Sequence, residues 1–405
     1  MSGKFLRVIS LILVLTLLPG CWSRREIEDL AIASGTAIDI IEAPNNKKFR
    51  VSVQVARARQ LGGGQQGAWG GGGKDPGWLV SGFGETIYEA GRNITVRSPR
   101  AMVLYHNRVL VIGERAAREG VQEILDFFLR YRETRLRTWI VVTPGEAQNI
   151  FKSGPEIEQI LAEELTGIVS NISNQSSKSY AVDMRNFATA LVGPGQDAVA
   201  PKAGVIKVIE NIGSDPSVLT GEPQRTVQVQ GLAVFRRDRL AGWLNDDETK
   251  GFLYMTGKAR AGSIIVKLQG EEGKKISFMM TRTKSEIKPR VEKGEVRFSV
   301  KIDAEGDLVE NESTMDISEP EILERVNREV AGEVSRLARR SLDKAQRRLG
   351  ADIFGFGEKL HKAEPEYWKQ VEEKWYDIYP TVDVSIQVTA NIRRTGMVSK
   401  PFEIK

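Results

Sequence analysis

Cysteine is almost missing from this chain: Cys21 is the only one in 405 residues. An intrachain disulfide and a cysteine-rich zinc site are both excluded. Histidine is nearly as scarce, with only His106 and His361. A catalytic triad or a two-histidine metal site needs such rings brought together, and these two lie in segments assigned below to different domains. No apolar run reaches the roughly 18 residues that a membrane-spanning helix requires. Charge of either sign is not in large excess: 58 Lys and Arg face 53 Asp and Glu, a formal +5. Without Lys4 and Arg7 near the N-terminus the balance falls to +3, too little to argue for nucleic acid, where a concentrated basic face is expected. What is present is ordinary for a folded protein, 41% hydrophobic and 27% charged residues, enough for about two or three domains with buried cores.

Lys4 and Arg7 precede an apolar run, Val8 to Leu18, whose only polar residues are Ser10 and Thr16. That is the layout of a secretory signal, and it assigns residues 1–20 to a signal peptide. Leu18-Pro19-Gly20-Cys21 resembles the lipobox of bacterial lipoproteins. There the peptide is cut just before the cysteine, and the thiol, the one side chain able to form the thioether, is joined to a diacylglycerol. Cys21 is therefore the expected lipidation site, and its acyl chains, at about 0.8 kcal/mol per buried CH₂, the expected hold on the membrane. Ser23-Arg24-Arg25-Glu26 then matches a capping box and predicts a short helix through Leu30, with Arg24 and Arg25 near anionic headgroups.

Along the mature chain, Phe49, Val51, Val53 and Val55 alternate with Arg50, Ser52 and Gln54, which predicts a half-buried strand. Leu61 to Trp78 is glycine-rich and reads as an exposed loop. A helix is predicted over Thr86 to Asn93. A strand-turn-strand follows, with Met102–Leu104 and Val109–Ile112 apolar enough to be buried on both faces. Gly120 to Arg130 predicts a helix with Val121, Ile124, Leu125 and Phe128 inward, and Thr138 to Val142 another strand. This alternation makes residues 21–200 an α/β-type domain. Residues 201–285, with strands at Val227–Phe235, Ile264–Leu268 and Ile276–Met280, read as a β-rich middle domain. In residues 286–405, a further strand at Val296–Ile302 precedes a long helix. Ser318 is its expected N-cap, Pro320 lies in the first turn, Ile322, Val326, Val330, Val334 and Leu337 form the inner face, and Gly350 is the stop. It should pack on a sheet containing Thr381–Arg393, where apolar and polar residues alternate strictly. The fold class is α+β, elongated and multi-domain, with three domains and a C-terminal helix on an antiparallel or mixed sheet.

Chemistry is hard to find. Gly62-Gly63-Gly64-Gln65-Gln66-Gly67 matches G-x-G-x-x-G, but more glycine follows where the dinucleotide motif needs a helix to open. In "AWGGGGKD" Ala68 takes the place of the first phosphate-loop glycine, and Asp75 that of the magnesium-binding hydroxyl. Arg336, Arg339, Arg340, Lys344, Arg347 and Arg348 lie in the second half of the long helix and acids in its first half, an order that the helix dipole favours and a solvated face explains. Tyr367, Trp368, Trp375, Tyr376 and Tyr379 cluster, with the two tryptophans seven apart on one predicted helix face. Core packing is the default for them and a partner surface the alternative. No catalytic residue, metal ligand, ligand-binding residue or cofactor is assigned.

Several segments are similar to one family. "GCWSRREIEDLAIASGTAID", "SPRAMVLYHNRVLVIGE" with "FFLRYRETRLRTWIVVT", "GLAVFRRDRLAGWLNDDETKGFLY" and the closing "KAQRRLGADIFGFGEKLHKAEPEYWKQVEEKWYDIYP" resemble the Ger(x)C family, the C-subunit lipoproteins of spore germinant receptors, and occur in family order. The glycine-rich stretch Gly62–Gly73 departs from that pattern. The resemblance implies a non-enzymatic, lipid-anchored subunit on the outer face of the spore inner membrane of an endospore-former. Its implied partners are integral-membrane A- and B-type subunits, its implied fold is a three-domain α+β arrangement, and no catalytic residue is established for the family. A germinant-capturing lipoprotein resembling a solute-binding protein is the alternative. The β-rich middle and the single helix-on-sheet unit fit poorly with the two α/β lobes of that class.

Overall fold

Two sheets organise the chain in the computed structural model, which describes Gly3 and residues 29–43, 46–56, 77–207, 225–268 and 273–395. Cys21, the Ser23–Glu26 capping box and Gly62–Gly73 lie outside the described residues. The first sheet contains β1 (Leu30–Ala43), β2 (Asn46–Ala56), β3 (Gly77–Gly84), β4 (Ala101–Val103), β5 (Val109–Gly113), β6 (Trp139–Thr143), β7 (Val199–Lys207), β8 (Arg225–Arg236) and β9 (Arg239–Leu244). Their spatial order is β3-β2-β1-β5-β6-β7-β8-β9, with β4 beside the start of β1. β1, β4, β5, β6 and β7 run parallel. Parallel neighbours need crossovers, and helices supply them. They are α1 (Ile87–Ile94) before β4, α2 (Glu114–Glu119) and α3 (Gln122–Arg130) before β6, and α4 (Gln148–Phe151), α5 (Leu161–Gln175) and α6 (Met184–Val192) before β7. Val121, Ile124, Leu125 and Phe128 face inward as expected, and all of β5 is buried.

Two local expectations change. The face of β2 assigned to water is covered, so Arg50, Ser52 and Gln54 are buried with Val51 and Val53. Burial is possible because each of the three side chains finds a partner. Arg50 pairs with Asp39 at 3.0 Å, Ser52 shares a 2.7 Å hydrogen bond with Ser81, and Gln54 accepts from the Ala162 N–H of α5 at 2.8 Å. In addition, β4 and β5 do not pair with each other. They follow one another along β1, β4 opposite Leu30–Ile32 and β5 opposite Gly35–Ile38. Lying at the start of the sheet, β4 leaves Ala101 exposed and Met102 only half-buried.

The second sheet has the order β10 (Ser263–Val266), β11 (Ile276–Glu292), β12 (Glu295–Asn311), β13 (Asp383–Arg394). β11 and β12 form a hairpin whose turn, Lys293-Gly294, has φ of 52° and 82°, the two positive values a type I′ turn needs. β13 runs parallel to β12, so the sheet is mixed. Segment 201–285 does not form a sheet of its own. β7, β8 and β9 complete the first sheet, whereas β10 and the first part of β11 open the second. The boundary expected after residue 285 falls inside β11. Turn-rich composition marks where strands end, not which sheet they join.

Between β9 and β10, α7 (Asp246–Met255) opens with a complete capping box, Asn245 with Glu248. It packs on α8 (Pro320–Leu342), which also lies against β13. Val326, Val330, Val334 and Leu337 are buried on α8, as their spacing predicts. Its cap differs: Glu319 holds the N-cap position without a side-chain bond, and the Ser318 hydroxyl donates to Asp316 instead. After Leu342 the helix widens into a π-helical segment, Asp343–Leu349, and stops at Gly350, φ 59°. Gly251 marks the closest approach of α7 and α8, since a Cβ there would lie 2.1 Å from the Leu337 carbonyl oxygen.

Two glycines should respond oppositely to alanine. Gly251→Ala forces α7 off α8 and should cost about 1–3 kcal/mol. Gly332→Ala, exposed within α8 with open space around its Cβ, should add about 0.5–1 kcal/mol. Urea unfolding of the two variants checks both signs.

Candidate functional site

The two histidines are not assembled into a reaction centre. His106 is exposed in the turn before β5, and His361 is exposed on α9 (Phe356–Ala363), its ring 5.9 Å from Trp368. Among the described residues no group of His, Cys, Asp and Glu is arranged to hold a metal ion. The basic residues of α8 and of the π-helical segment after it are partly committed to ion pairs: Arg336 and Arg340 reach Asp247 of α7 at 3.7 and 3.0 Å, and Arg347 reaches Asp343 at 3.6 Å.

Tertiary structure instead creates a buried junction. Asp197, ahead of β7, meets Asp352, just after the π-helical segment. Each backbone N–H of this pair donates to the other residue: Asp352 N to the Asp197 carboxylate at 2.7 Å, and Asp197 N to the Asp352 carbonyl at 2.9 Å. The Asp352 carboxylate also accepts from Phe356 N at 3.0 Å, Gly357 N at 2.8 Å and the Trp375 indole at 3.1 Å, so it caps the entry to α9. Asp197 accepts from Arg237 N and from the Tyr376 hydroxyl, both at 2.8 Å. The Tyr376 ring has the Arg236 and Arg237 guanidinium groups 5.1 and 5.0 Å from its centroid. Gly195 and Gly357 permit direct backbone contact, each leaving no room for a Cβ on the other.

Trp368 on α10 (Pro365–Val371) and Trp375 on α11 (Trp375–Ile378) lie on separate helices, not on one face, because a 3₁₀ turn at Glu372–Lys374 intervenes. Their rings still meet edge-on at 5.5 Å, both buried. The cluster is core. Burial raises the Asp197 carboxyl above its usual range and pushes Asp352 up to about 7, against the opposing pull of the N–H donors on each. These carboxylates hold backbone and indole donors, which is a structural task. Sequence reading missed both. The available signal was an aspartate placed just before two glycines in "GADIFGFG", a spacing that suits a capped turn.

Two concavities lie on the first domain. A cleft of about 390 Å³ at the carboxyl ends of β6 and β7 is lined by Thr143, Asn149, Lys152, Lys207 and Arg225. Above it, Asp39 bonds Arg50 and accepts from Ala147 N and Gln148 N at 2.6 and 3.1 Å, fixing the start of α4. Between α1 and α3 runs a groove of about 660 Å³ lined by Ile87, Tyr88, Phe127 and Tyr131, with Phe127 and Tyr131 stacked at 5.3 Å. Burial, with Glu133 next, raises the Tyr131 phenol. The groove offers aromatic contact surface with a charged rim of Glu85, Asp126 and Arg130.

Two family models match the chain. One described as "Spore germination protein N-terminal domain" covers residues 23–205, and one described as "Spore germination B3/ GerAC like, C-terminal" covers residues 230–396. Spore germination protein KC of Bacillus subtilis (strain 168) is 26% identical over 407 aligned residues, spanning 100% of this chain and 98% of that protein. Spore germination protein B3 of the same organism is 24% identical, spanning 98% and 99%, and spore germination protein GerQC of Bacillus cereus 20%, spanning 96% and 98%. The crystal structure of the GerBC protein shares the fold with a TM-score of 0.54 at 18% identity, covering 89% of this chain and 98% of that one. Asp197 lies in the first matched region and Asp352 in the second, so the buried junction ties the two together.

Removing the Asp352 carboxylate should be expensive. Asp352→Ala leaves Phe356 N, Gly357 N and the Trp375 indole without an acceptor, and should destabilise the fold by about 3 kcal/mol or more in urea unfolding. The pH dependence has a definite sign. With its folded pKa raised to about 7, Asp352 binds more proton in the native state than in the unfolded chain between about pH 4 and 7. Its contribution to stability falls as pH rises through that window. Asp352→Asn should flatten the slope of the urea midpoint against pH there, and an unchanged slope would contradict the assignment.

Proposed function

We propose, because the chain belongs to the Ger(x)C family of spore germination proteins, that it is the lipid-anchored, non-enzymatic C-type subunit of a nutrient germinant receptor. What carries the proposal is the end-to-end match. Both family regions are present in order, and the relatives named above are covered over almost their whole length. A role in receptor assembly or signalling beside integral-membrane A- and B-type partners fits a chain whose buried carboxylates are spent on structure. Among the described residues no helix is long and apolar enough to cross a membrane. The attachment in this reading is covalent: Cys21, behind the apolar Val8–Leu18 run, carries the diacylglycerol and holds the chain on the outer face of the spore inner membrane.

Cys21→Ala tests the reading directly. Spores carrying it should germinate poorly on nutrients, and the protein should leave the membrane fraction. Normal nutrient germination with the variant still membrane-bound would sink the proposal. Antibody capture of the wild-type chain from solubilised spore membranes should recover multi-span partners. Saturable binding of an amino acid or sugar in calorimetry, lost on Lys152→Ala and Arg225→Ala in the cleft, would move the assignment to germinant capture.

A further inference from the structure

The first sheet gathers an unusual amount of positive charge on one edge. β1, β4, β5 and β6 run parallel, so the ends at which they begin all lie on the same side. The chain enters there at Asp29, and the connections 95–100, 104–108 and 131–138 are collected beside it. The edge is stepped. Leu30 pairs with Ala101 and Gly35 with Val109, so β1 and β4 reach about 17 Å beyond the start of β5, at about 3.3 Å per residue. Arg97, Arg100, Arg132, Arg135 and Arg137 sit in these connections. Arg185 of α6 joins them, its backbone N–H donating to the Leu136 carbonyl at 3.1 Å.

Among the described residues, none of these six guanidinium groups has an ion-pair or hydrogen-bond partner, and all but the half-buried Arg100 are exposed. The acids nearby are fewer and partly occupied. Glu133 accepts from Leu104 N and the Tyr105 hydroxyl, and Asp183 caps α6, leaving Asp29. Apolar side chains project between the arginines: Val96 is 84% exposed and Leu136 49%. Arginines with exposed apolar neighbours, at the place where the chain departs for its anchor, have the composition of a surface that meets lipid headgroups.

We infer that this edge rests on the anionic phospholipid surface of the bilayer that holds Cys21. The inference builds on the anchored reading, and chain length supports it. Seven residues lie between Cys21 and Asp29, so over eight steps of about 3.6 Å Asp29 is never more than about 29 Å from the anchor. An arginine acts on a charged surface within a Debye length, about 8 Å at physiological salt, and the tether keeps the edge near the bilayer while leaving it free to settle to that distance. Tyr105 and the open end of the aromatic groove at Tyr131 then face the headgroup layer, where such side chains are favoured.

The test uses the mature chain, residues 21–405, carrying Cys21→Ser, so that only protein surface can hold it to vesicles. It should co-sediment with phosphatidylglycerol vesicles, not with pure phosphatidylcholine vesicles, and be released by salt. Changing Arg97, Arg132, Arg135, Arg137 and Arg185 to Gln should weaken binding by at least about 50-fold, well within what five surface charges supply. The same number of Gln changes at the exposed Lys301, Arg339, Arg348, Lys359 and Lys374 should leave it unchanged. Arg24 and Arg25 stay in every variant, so they cannot account for a difference. Equal binding by both quintuple variants, or no binding to phosphatidylglycerol, overturns the inference. An unbound edge that instead cross-links to a membrane protein through a cysteine at Leu136 assigns the arginines to a protein partner. Because lipidation is absent throughout, failure here leaves the Cys21 anchor standing, and release of Cys21→Ala from spore membranes reports on that anchor alone.

Discussion

The Asp352 carboxylate is the point on which the two halves of the chain depend. It is buried, and it is tolerated there because two backbone N–H groups and the Trp375 indole point at it. Those donors belong to the turn into α9 and to α11, so one side chain sets the approach of both helices. The backbone of the same residue is bonded to Asp197, which leads into β7 of the first sheet. Gly195 and Gly357 are glycines because the two backbones touch where a Cβ would stand. Tyr376 of α11 closes the arrangement, its ring meeting Arg236 and Arg237 of the β8–β9 turn. A buried carboxylate with a full set of donors fixes position more sharply than apolar contact, since any shift strands a polar group.

The same junction explains why the middle of the chain is not an independent unit. β8 and β9 bond to β7 and extend the first sheet, while α7 leaves β9 to pack on α8 of the second. The connection between the matched regions, 205 to 230, lies between two paired strands of a single sheet. A subunit built this way delivers one fixed orientation of its C-terminal layer relative to the parallel strands. If the first sheet is held at the bilayer, the second is held with it.

How much could be read in advance depended on the range of the interactions involved. Local ones were legible. The α8 inner face and the Gly350 stop follow from backbone preferences and periodicity acting over a few residues. The N-cap of α8 escaped because the Ser318 hydroxyl turns to donate to Asp316 where a cap would accept from a first-turn N–H. Gln54 and Arg50 looked like the solvent face of a strand because alternation reports polarity, and polarity is also what a buried face with polar partners contains. Trp368 and Trp375 looked like one helix face because a seven-residue spacing cannot reveal the 3₁₀ turn between them.

The sequence by itself supplied the expected leader and attachment at Cys21, the family resemblance and most individual elements, since each is written in contiguous residues. It also bounded the chemistry, because one cysteine and two histidines leave few sites to build. Only tertiary structure decided which sheet β7 to β9 join, that Asp197 meets Asp352 across 155 positions, and that six arginines from two connections and the start of α6 share one edge. A near-neutral total of +5 conceals that edge, because net charge sums over the whole surface whereas parallel strands sort their connections to one side. Pairing between distant segments is decided by burial and by the hydrogen bonds each polar group must find, and neither is a property of neighbouring letters.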